Sequence, residues 1–272
     1  MKVVKDLTHG ILLNSFAARD TYYLAVSLLT FFDLDNPDTA LPEQDMWRLV
    51  PQELGDSAIL DAAMPKQRAE FLVRGRCFAP RGEERPASQV TVRVGETVRA
   101  FNVFGPRRWE SLAGAMVITD PEPFTQVDLT WANAFGGPDV PENPLGQGTA
   151  PVLGPDGQQL LPLPQVEDPE HPIGAPNDRP APACPLPVDQ AWPQRMKKAG
   201  TYDQTWFNER WPYFPQDMDW TFFNAASPGQ QQAEYFQGGE EVELVNLHPE
   251  RPLVGSRRPS LRQRVFLNQW AD

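Results

Sequence analysis

The sequence has few of the residues that build metal and redox centres. Its 272 residues include two cysteines and three histidines, namely Cys77, Cys184, His9, His171 and His248. None of them stands at the short spacings typical of zinc ligands, and the two cysteines do not form a CxxC pair. Two distant cysteines leave a structural disulfide open, but reduced thiols in a cytosol are the simpler interpretation. We therefore expect a cytoplasmic protein without a metal or a cofactor.

The sequence also lacks a membrane-spanning stretch and an excess of positive charge. Its longest apolar run, residues 21–32, has twelve residues, whereas a spanning helix needs about 20. Asp6 and His9 stand where a secretion signal needs apolar residues. The formal net charge is −12, which disfavours nucleic acid and anionic membranes because both attract basic surfaces. We expect neither as a partner.

Proline, by contrast, is abundant. The chain has 30 prolines, about 11% of its residues and roughly double the usual ~5%. Fifteen of them lie in residues 138–193, a segment with few apolar runs. A structureless stretch of this length is either a linker or an extended strap over a domain surface. The aromatic residues that follow it need something to pack on, which favours the strap.

One β-hairpin is the clearest local prediction. Val90, Val92 and Val94 alternate with polar residues, Gly95-Glu96 forms a turn signal, and residues 98–104 return as the partner strand. Further strands are predicted at 21–32 (a buried strand or hairpin), 69–77, 115–119, 124–131, 241–247 and 262–270, and a short helix within 47–60. The pattern predicts that the fold is mainly β, with α+β as an alternative.

The expected architecture is one β-rich domain over residues 1–272. It is β-sandwich-like or built of antiparallel sheets, with a long Pro-rich strap at 138–193 and few short helices. The sequence ends directly after a predicted strand, which is consistent with its being the N-terminal part of a longer protein.

Residues 200–232 form the most distinctive segment of the sequence. Nine aromatic residues fall between Tyr202 and Phe223, without the sustained spacing of a helix or a strand. Such a segment is either a packed loop or a recognition surface. We expect mainly structural roles for Trp206, Trp211 and Phe222, with Tyr202 and Arg210 accessible to a partner. The candidate partner-binding or fold-signature residues are Tyr202, Asp203, Trp206, Arg210, Trp211, Asp217 and Asp219.

Three patterns that could carry other functions are weaker. The glycine-rich run at 134–148 has neither the Lys-Ser/Thr nor the following helix of a phosphate-binding loop. Ser57 could be a hydrolase nucleophile only with a histidine base, such as His171 or His248, and an orienting carboxylate. Asp217 and Asp219, two residues apart, are too close for most glycosidases, and more simply bond to backbone amides in turns. Because aromatic residues flank these aspartates in the sequence, sugar binding is kept as an alternative function.

Several motifs together resemble a known bacterial family. They are AFGGP (134–138), ENPLGQG (142–148), residues 192–231 with the GTYD string, and FQGGEEVELVNLHPE (236–250), together with LLTFFDL (28–34), Pro65-Lys66, the VTVRVG hairpin and VFGPRRW (103–109). In order and spacing they resemble the domain of unknown function 2169, over nearly the whole chain.

The resemblance implies an intracellular accessory protein of the type VI secretion system. Such a protein would be a non-enzymatic adaptor or chaperone that binds a cognate toxin effector and helps load it onto a spike-tip (VgrG/PAAR) protein. The resemblance implies no catalytic residue, and we expect no enzyme. The alternatives are a carbohydrate- or cell-wall-binding module and an unrecognised hydrolase that uses Ser57 or the Asp217/Asp219 pair.

Overall fold

The computed structural model describes residues 10–18, 20–29, 64, 68–227, 230–231, 240–250, 253–256 and 264–268. The predicted helix within 47–60, Ser57 and Pro65-Lys66 lie outside the described residues. None of the helices in the described part of the chain is both long and apolar enough to cross a membrane.

The described elements are predominantly strands. They are β1 (Gly10–Ala18), β2 (Thr21–Leu29), β3 (Glu70–Arg74), β4 (Arg76–Phe78), β5 (Ala87–Val94), β6 (Thr97–Phe104), β7 (Arg108–Leu112), β8 (Ala115–Ile118), β9 (Gln126–Asp128), β10 (Phe135–Gly136), β11 (Gln147–Gly148), β12 (Val152–Leu153), β13 (Gln159–Pro162), β14 (Val166–Glu167), β15 (Glu241–Val245), β16 (Leu253–Ser256) and β17 (Arg264–Asn268). The helices are α1 (Pro193–Met196) and α2 (Gln204–Glu209), with 3₁₀ turns at Pro80–Gly82, Trp131–Asn133 and Trp220–Phe223.

The largest sheet is antiparallel and has the strand order β14-β6-β5-β15-β16. Its centre is the predicted hairpin, in which Val94 pairs with Thr97 around Gly95 at φ 57°. The alternating side chains of Val90, Val92 and Val94 are buried, and each buried valine contributes about 1.5–3 kcal/mol. The hairpin prediction is confirmed.

Strands β3, β4 and β9 share one core with this sheet. Phe71 of β3, Cys77 of β4 and Val127 of β9 belong to the same buried cluster as the hairpin valines. The predicted strand at 69–77 is therefore two strands interrupted at Gly75. The predicted strand at 124–131 is shorter, because a 3₁₀ turn follows and the Trp131 indole donates to the Pro187 carbonyl at 2.9 Å.

A second sheet has the order β12-β13-β7-β8, and two-stranded pairs complete the described elements. Strands β1 and β2 form an antiparallel hairpin, whereas β17 pairs in parallel with β3 and β10 with β11. Residues 21–29 of the predicted buried strand or hairpin at 21–32 form the second strand of this hairpin. The expected burial is wrong for Tyr22, Tyr23 and Leu24, whose side chains are exposed, because among the described residues β2 pairs with β1 alone and Tyr22 and Tyr23 have contacts with single rings.

The Pro-rich segment packs against the sheets. Its strand β13 pairs with β7, and β14 pairs with β6. Glu167 forms a buried ion pair with Arg107, and the Arg107 guanidinium lies 3.7 Å from the centre of the Phe104 ring. Burial raises the pKa of Glu167 above its ordinary value, an effect that the Arg107 charge and the Ile173 amide partly offset.

The two cysteines remain free thiols, so the alternative of a disulfide is wrong. Both side chains are buried, Cys77 under the main sheet and Cys184 beside Trp131. Burial raises the pKa of Cys77 to about 11 and that of Cys184 to about 12. The predicted fold class is confirmed, since the described residues form a mainly β protein with antiparallel sheets, a Pro-rich strap and short helices.

Candidate partner-binding surface

Helix α2 positions the first part of the aromatic segment. Asp203 caps the helix by accepting a hydrogen bond from the Trp206 backbone amide at 2.8 Å. A helix of six residues is marginal on its own, and a cap of this kind contributes about 1 kcal/mol. The Trp206 indole donates to the Tyr213 carbonyl at 2.8 Å, which fixes the helix to the chain that follows it.

Four aromatic side chains form a connected cluster at this helix, here called the aromatic patch: Tyr202, Trp206, Phe207 and Trp211. The Trp206 ring is in edge contact with Tyr202 at 4.8 Å and with Trp211 at 5.7 Å between centroids. Phe207 lies 6.4 Å from Trp211. Trp206 is half-buried and forms the base, while Tyr202, Phe207 and Trp211 are 50%, 58% and 65% exposed.

The exposure of Trp211 does not fit the mainly structural role expected for it. Most of its indole lies in solvent, so its burial contributes much less to stability than that of a core tryptophan. Phe207 was not among the predicted site residues, although it is as exposed as its neighbours. Its position four residues before Trp211 was the available signal, because residues four apart at the end of a helix lie on the same side.

The second part of the aromatic segment is core. Phe223 and Met218 are buried together with Met64, and Phe214, Trp220 and Phe222 pack against them. This group is called the aromatic core here. Phe16 from strand β1 extends it, with centroid distances of 5.9 Å to Phe214 and 5.5 Å to Trp220. Phe222 thus has the structural position that was expected, and the aromatic residues of one segment divide into two environments.

The two predicted aspartates organise turns. Asp217 accepts hydrogen bonds from the Thr201 amide at 3.0 Å and the Thr201 hydroxyl at 2.7 Å, which hold its pKa below the ordinary value. Asp219 caps the 3₁₀ turn by accepting from the Thr221 amide at 2.9 Å. Burial pushes the pKa of Asp219 upward, but the Thr221 hydrogen bonds and the Lys198 charge outweigh it and lower the pKa. These contacts match the turn-bonding interpretation of the sequence.

Gly200 makes the turn beside Asp217 feasible. Its φ is 83°, a conformation that L side chains rarely adopt. An added Cβ would lie 2.7 Å from the Pro215 Cβ and 3.1 Å from the Asp217 carboxylate. The glycine therefore lets residues 200–202 approach Asp217 closely enough for the Thr201 hydrogen bonds.

Arg210 connects the segment to the β1–β2 hairpin. Its guanidinium forms an ion pair with Asp20 at 2.8 Å and lies 5.6 Å from the Tyr213 ring. The Tyr213 ring lies 5.3 Å from Tyr22. This contact places the exposed Tyr22 where the segment turns at Tyr213. The next residue, Tyr23, stacks on Phe16 instead, with 5.3 Å between the ring centroids.

The arginine that is most deeply buried in this region is Arg195, which was not predicted as a site residue. It is 3% exposed, and its guanidinium donates to the Phe222 carbonyl at 2.9 Å and to the Val188 carbonyl at 2.7 Å. Its guanidinium also lies 5.2 Å from the Phe222 ring. Arg195 therefore joins the end of the strap to the aromatic core, a role that no local sequence pattern indicates.

The glycine-rich run at 134–148 is closed by its own hydrogen bonds. The buried Asn143 side chain donates to the Trp131 carbonyl at 2.7 Å and to the Phe135 carbonyl at 2.9 Å. The backbone amides of Gly137 and Gly146 both donate to the Asn143 carbonyl. Since these two glycine amides are occupied, they are not available to a phosphate.

His171 has a carboxylate partner three residues earlier. Its Nδ1 atom lies 3.0 Å from Asp168 Oδ2 on the protein surface. Asp168, Glu170 and His171 offer possible cation ligands within 4.8 Å of one another, and two of the three residues are exposed. A local turn explains their proximity, because the Glu170 amide donates to Asp168 at 2.9 Å. Ser57 lies outside the described residues, so the structure does not place it relative to His171.

Comparison with known proteins gives one match. A family model described as an uncharacterized protein conserved in bacteria (DUF2169) matches residues 19–271. Neither the curated proteins nor the solved structures include a match. The matched range contains both the aromatic patch and the aromatic core.

Proposed function

This chain belongs to the bacterial DUF2169 family, and we propose that it is a non-enzymatic adaptor or chaperone of a type VI secretion system. It binds a cognate toxin effector in the cytoplasm and helps load that effector onto the VgrG/PAAR spike. The observation that carries the proposal is the aromatic patch, whose three outer rings are each at least half exposed.

An exposed aromatic cluster of this kind favours protein binding. Contiguous apolar surface in water is unfavourable, and on soluble proteins it marks interaction sites. Tryptophan and tyrosine are enriched among the residues that dominate interface energies. The patch is also held in shape before binding, through the Asp203 cap and the hydrogen bond of the Trp206 indole, so less conformational freedom is lost when a partner binds.

The hydrogen bonds of the neighbouring carboxylates support binding over catalysis. Asp203, Asp217 and Asp219 each accept hydrogen bonds from backbone amides. A general acid or base needs a carboxyl group aimed at a reacting atom with a pKa near the working pH. The pKa values of Asp217 and Asp219 are instead lowered. These carboxylates serve to shape and charge the surface.

Co-purification tests this function. The tagged protein is recovered from cells with intact secretion genes, and bound proteins are identified by mass spectrometry. We expect an effector or a VgrG/PAAR protein with the wild type and its loss with Trp211→Ala. Leu153→Ala is the control, since Leu153 is an exposed apolar residue on the separate strand β12. If no such protein is recovered under several conditions, or Trp211→Ala retains it, the proposal fails.

A carbohydrate- or cell-wall-binding module is the second candidate. It is favoured by the exposed rings of Tyr202 and Trp211, because aromatic faces can stack on sugar rings. A glycan array and a peptidoglycan pull-down distinguish it from the adaptor. Binding that disappears in Trp211→Ala but not in Leu153→Ala would establish this function instead.

A further inference from the structure

We propose that the aromatic patch recognises a cationic segment of the partner protein, in which an arginine or lysine flanked by apolar residues lies against the exposed rings. This inference rests on the proposed adaptor function and specifies the chemistry of the partner. It follows from the combination of exposed aromatic rings with fixed negative charge around them.

The surroundings of the patch are acidic. Residues 200–227 contain four carboxylates, those of Asp203, Glu209, Asp217 and Asp219, and a single basic side chain, Arg210. The Arg210 guanidinium is already engaged by Asp20 at 2.8 Å. Lys197 and Lys198 precede this range, and the Lys198 charge acts on Asp219. The segment that carries the patch therefore has an excess of negative charge, which an approaching ligand would meet.

Two of these negative charges, those of Asp203 and Asp217, are held next to the patch by hydrogen bonds. Asp203 follows Tyr202 directly and is held by the Trp206 amide. Asp217 is held by Thr201, the residue before Tyr202. The pKa of Tyr202 is raised by burial and, in addition, by the Asp217 charge, so the negative field of this carboxylate reaches the phenol. Glu209 lies between Phe207 and Trp211 in the sequence.

The ring arrangement suits a cation. Tyr202 and Trp211 both meet Trp206 edge to face, with interplanar angles of 72° and 86°. Trp211 is 65% exposed, which leaves indole surface open to a ligand. A guanidinium or ammonium over an indole face is attracted by the ring quadrupole, and the nearby carboxylates add to this attraction. A neutral apolar ligand would gain only the ring contacts, and an anionic one would be repelled.

Peptide binding measures this preference directly. A set of fluorescent synthetic peptides shares one glycine, serine and leucine background and differs only at positions that hold arginine, lysine, glutamine or glutamate. We expect the arginine peptide to bind about tenfold more tightly than the glutamine peptide, and the glutamate peptide to bind most weakly. Raising the salt from about 0.1 M to about 1 M should reduce the preference, because screening becomes stronger.

Substitutions in and near the patch test whether the arginine preference depends on it. Trp211→Ala and Phe207→Ala should remove most of the arginine preference, and Glu209→Gln should weaken arginine and lysine peptides without affecting the glutamine peptide. Glu110→Gln, an exposed carboxylate on strand β7, is the matched control and should change nothing. Glu209 is suited to this test because its side chain is exposed and its carboxylate has no hydrogen bond or ion pair within the part of the chain that the structure describes.

The outcomes separate this inference from the adaptor function. Equal binding of the arginine, glutamine and glutamate peptides overturns the cationic preference, as does the absence of measurable binding to the arginine peptide. If Trp211→Ala abolishes effector recovery while Glu209→Gln and salt have no effect, the adaptor function stands and the cationic partner is wrong. If the peptide preference holds but no effector or spike protein is recovered, the adaptor function is wrong.

Discussion

The two halves of the aromatic segment have similar compositions and different environments. Residues 202–211 contain four aromatic side chains that contact one another and stay largely in solvent. Residues 213–223 contain five, most of which pack into the aromatic core. The second half is covered by distant residues, Phe16 and Met64, whereas the described contacts of the first half are mostly internal. The environment of an aromatic residue here depends on what the rest of the chain brings to it.

The largest expected effect comes from paired truncations of the two halves. Phe223→Ala should lower the free energy of unfolding by about 3–5 kcal/mol, because Phe223 is 3% exposed. Phe207→Ala should lower it by no more than about 1 kcal/mol, since more than half of the ring is in solvent. Urea denaturation of both variants measures this difference. Equal losses would show that the aromatic patch is part of the core.

A second comparison uses the two arginines that anchor these halves. Arg195→Met should leave the Phe222 and Val188 carbonyls without their buried donor, at about 1–3 kcal/mol each. Arg210→Met removes an ion pair to the mostly exposed Asp20, which is worth about 0–1 kcal/mol. Lys197→Met, at an exposed position near Arg195, is the control in denaturant melts. A larger loss for Arg210 than for Arg195 would contradict the assigned environments.

The smallest expected effect is a pH dependence at the base of the aromatic patch. Because the Thr201 hydrogen bonds lower the pKa of Asp217, its contribution to stability is present above the ordinary carboxyl pKa of about 4. It is lost as the pH falls through the lowered pKa. The stability difference between wild type and Asp217→Asn should therefore be constant near neutral pH and vanish in acid, as thermal melts across the pH range would show.

Two controls accompany this pH measurement. Thr201→Val removes the hydroxyl donor and should weaken the pH dependence without deleting the carboxylate. Glu110→Gln accounts for the loss of one negative charge elsewhere. If the stability difference between wild type and Asp217→Asn persists unchanged at low pH, the Thr201 hydrogen bonds do not favour the charged form of Asp217.

Local patterns allowed much of the fold to be predicted. The valine alternation and the Gly95 turn give the central hairpin because side-chain period and turn chemistry are short-range properties. The same holds for Asp219, which was interpreted as bonding to backbone amides and caps the turn that begins directly after it. The predicted aromatic segment contains both the patch and the core, but its composition does not distinguish them.

The remaining features depend on residues far apart in sequence. Arg210 pairs with Asp20 across 190 positions, and Glu70 accepts from the Ala226 amide across 156. The exposure of Trp211 and the burial of Arg195 follow from which elements cover them, and neither residue type nor local spacing carries that information. For the same reason the sequence predicts a mainly structural role for Trp211, which is exposed, and gives no indication of Arg195, which is buried.

The mainly β class, the central hairpin, the acidic charge and the location of an unusual aromatic segment can all be inferred from the amino-acid sequence, because composition, period and turn signals act over a few residues. Which aromatic rings are core and which form the patch depends on how distant residues pack against them. The folded chain also brings Asp217 close enough to Tyr202 for its charge to act on the phenol. Burial and charge proximity arise when distant parts of the chain pack together, so they exist only in the folded protein.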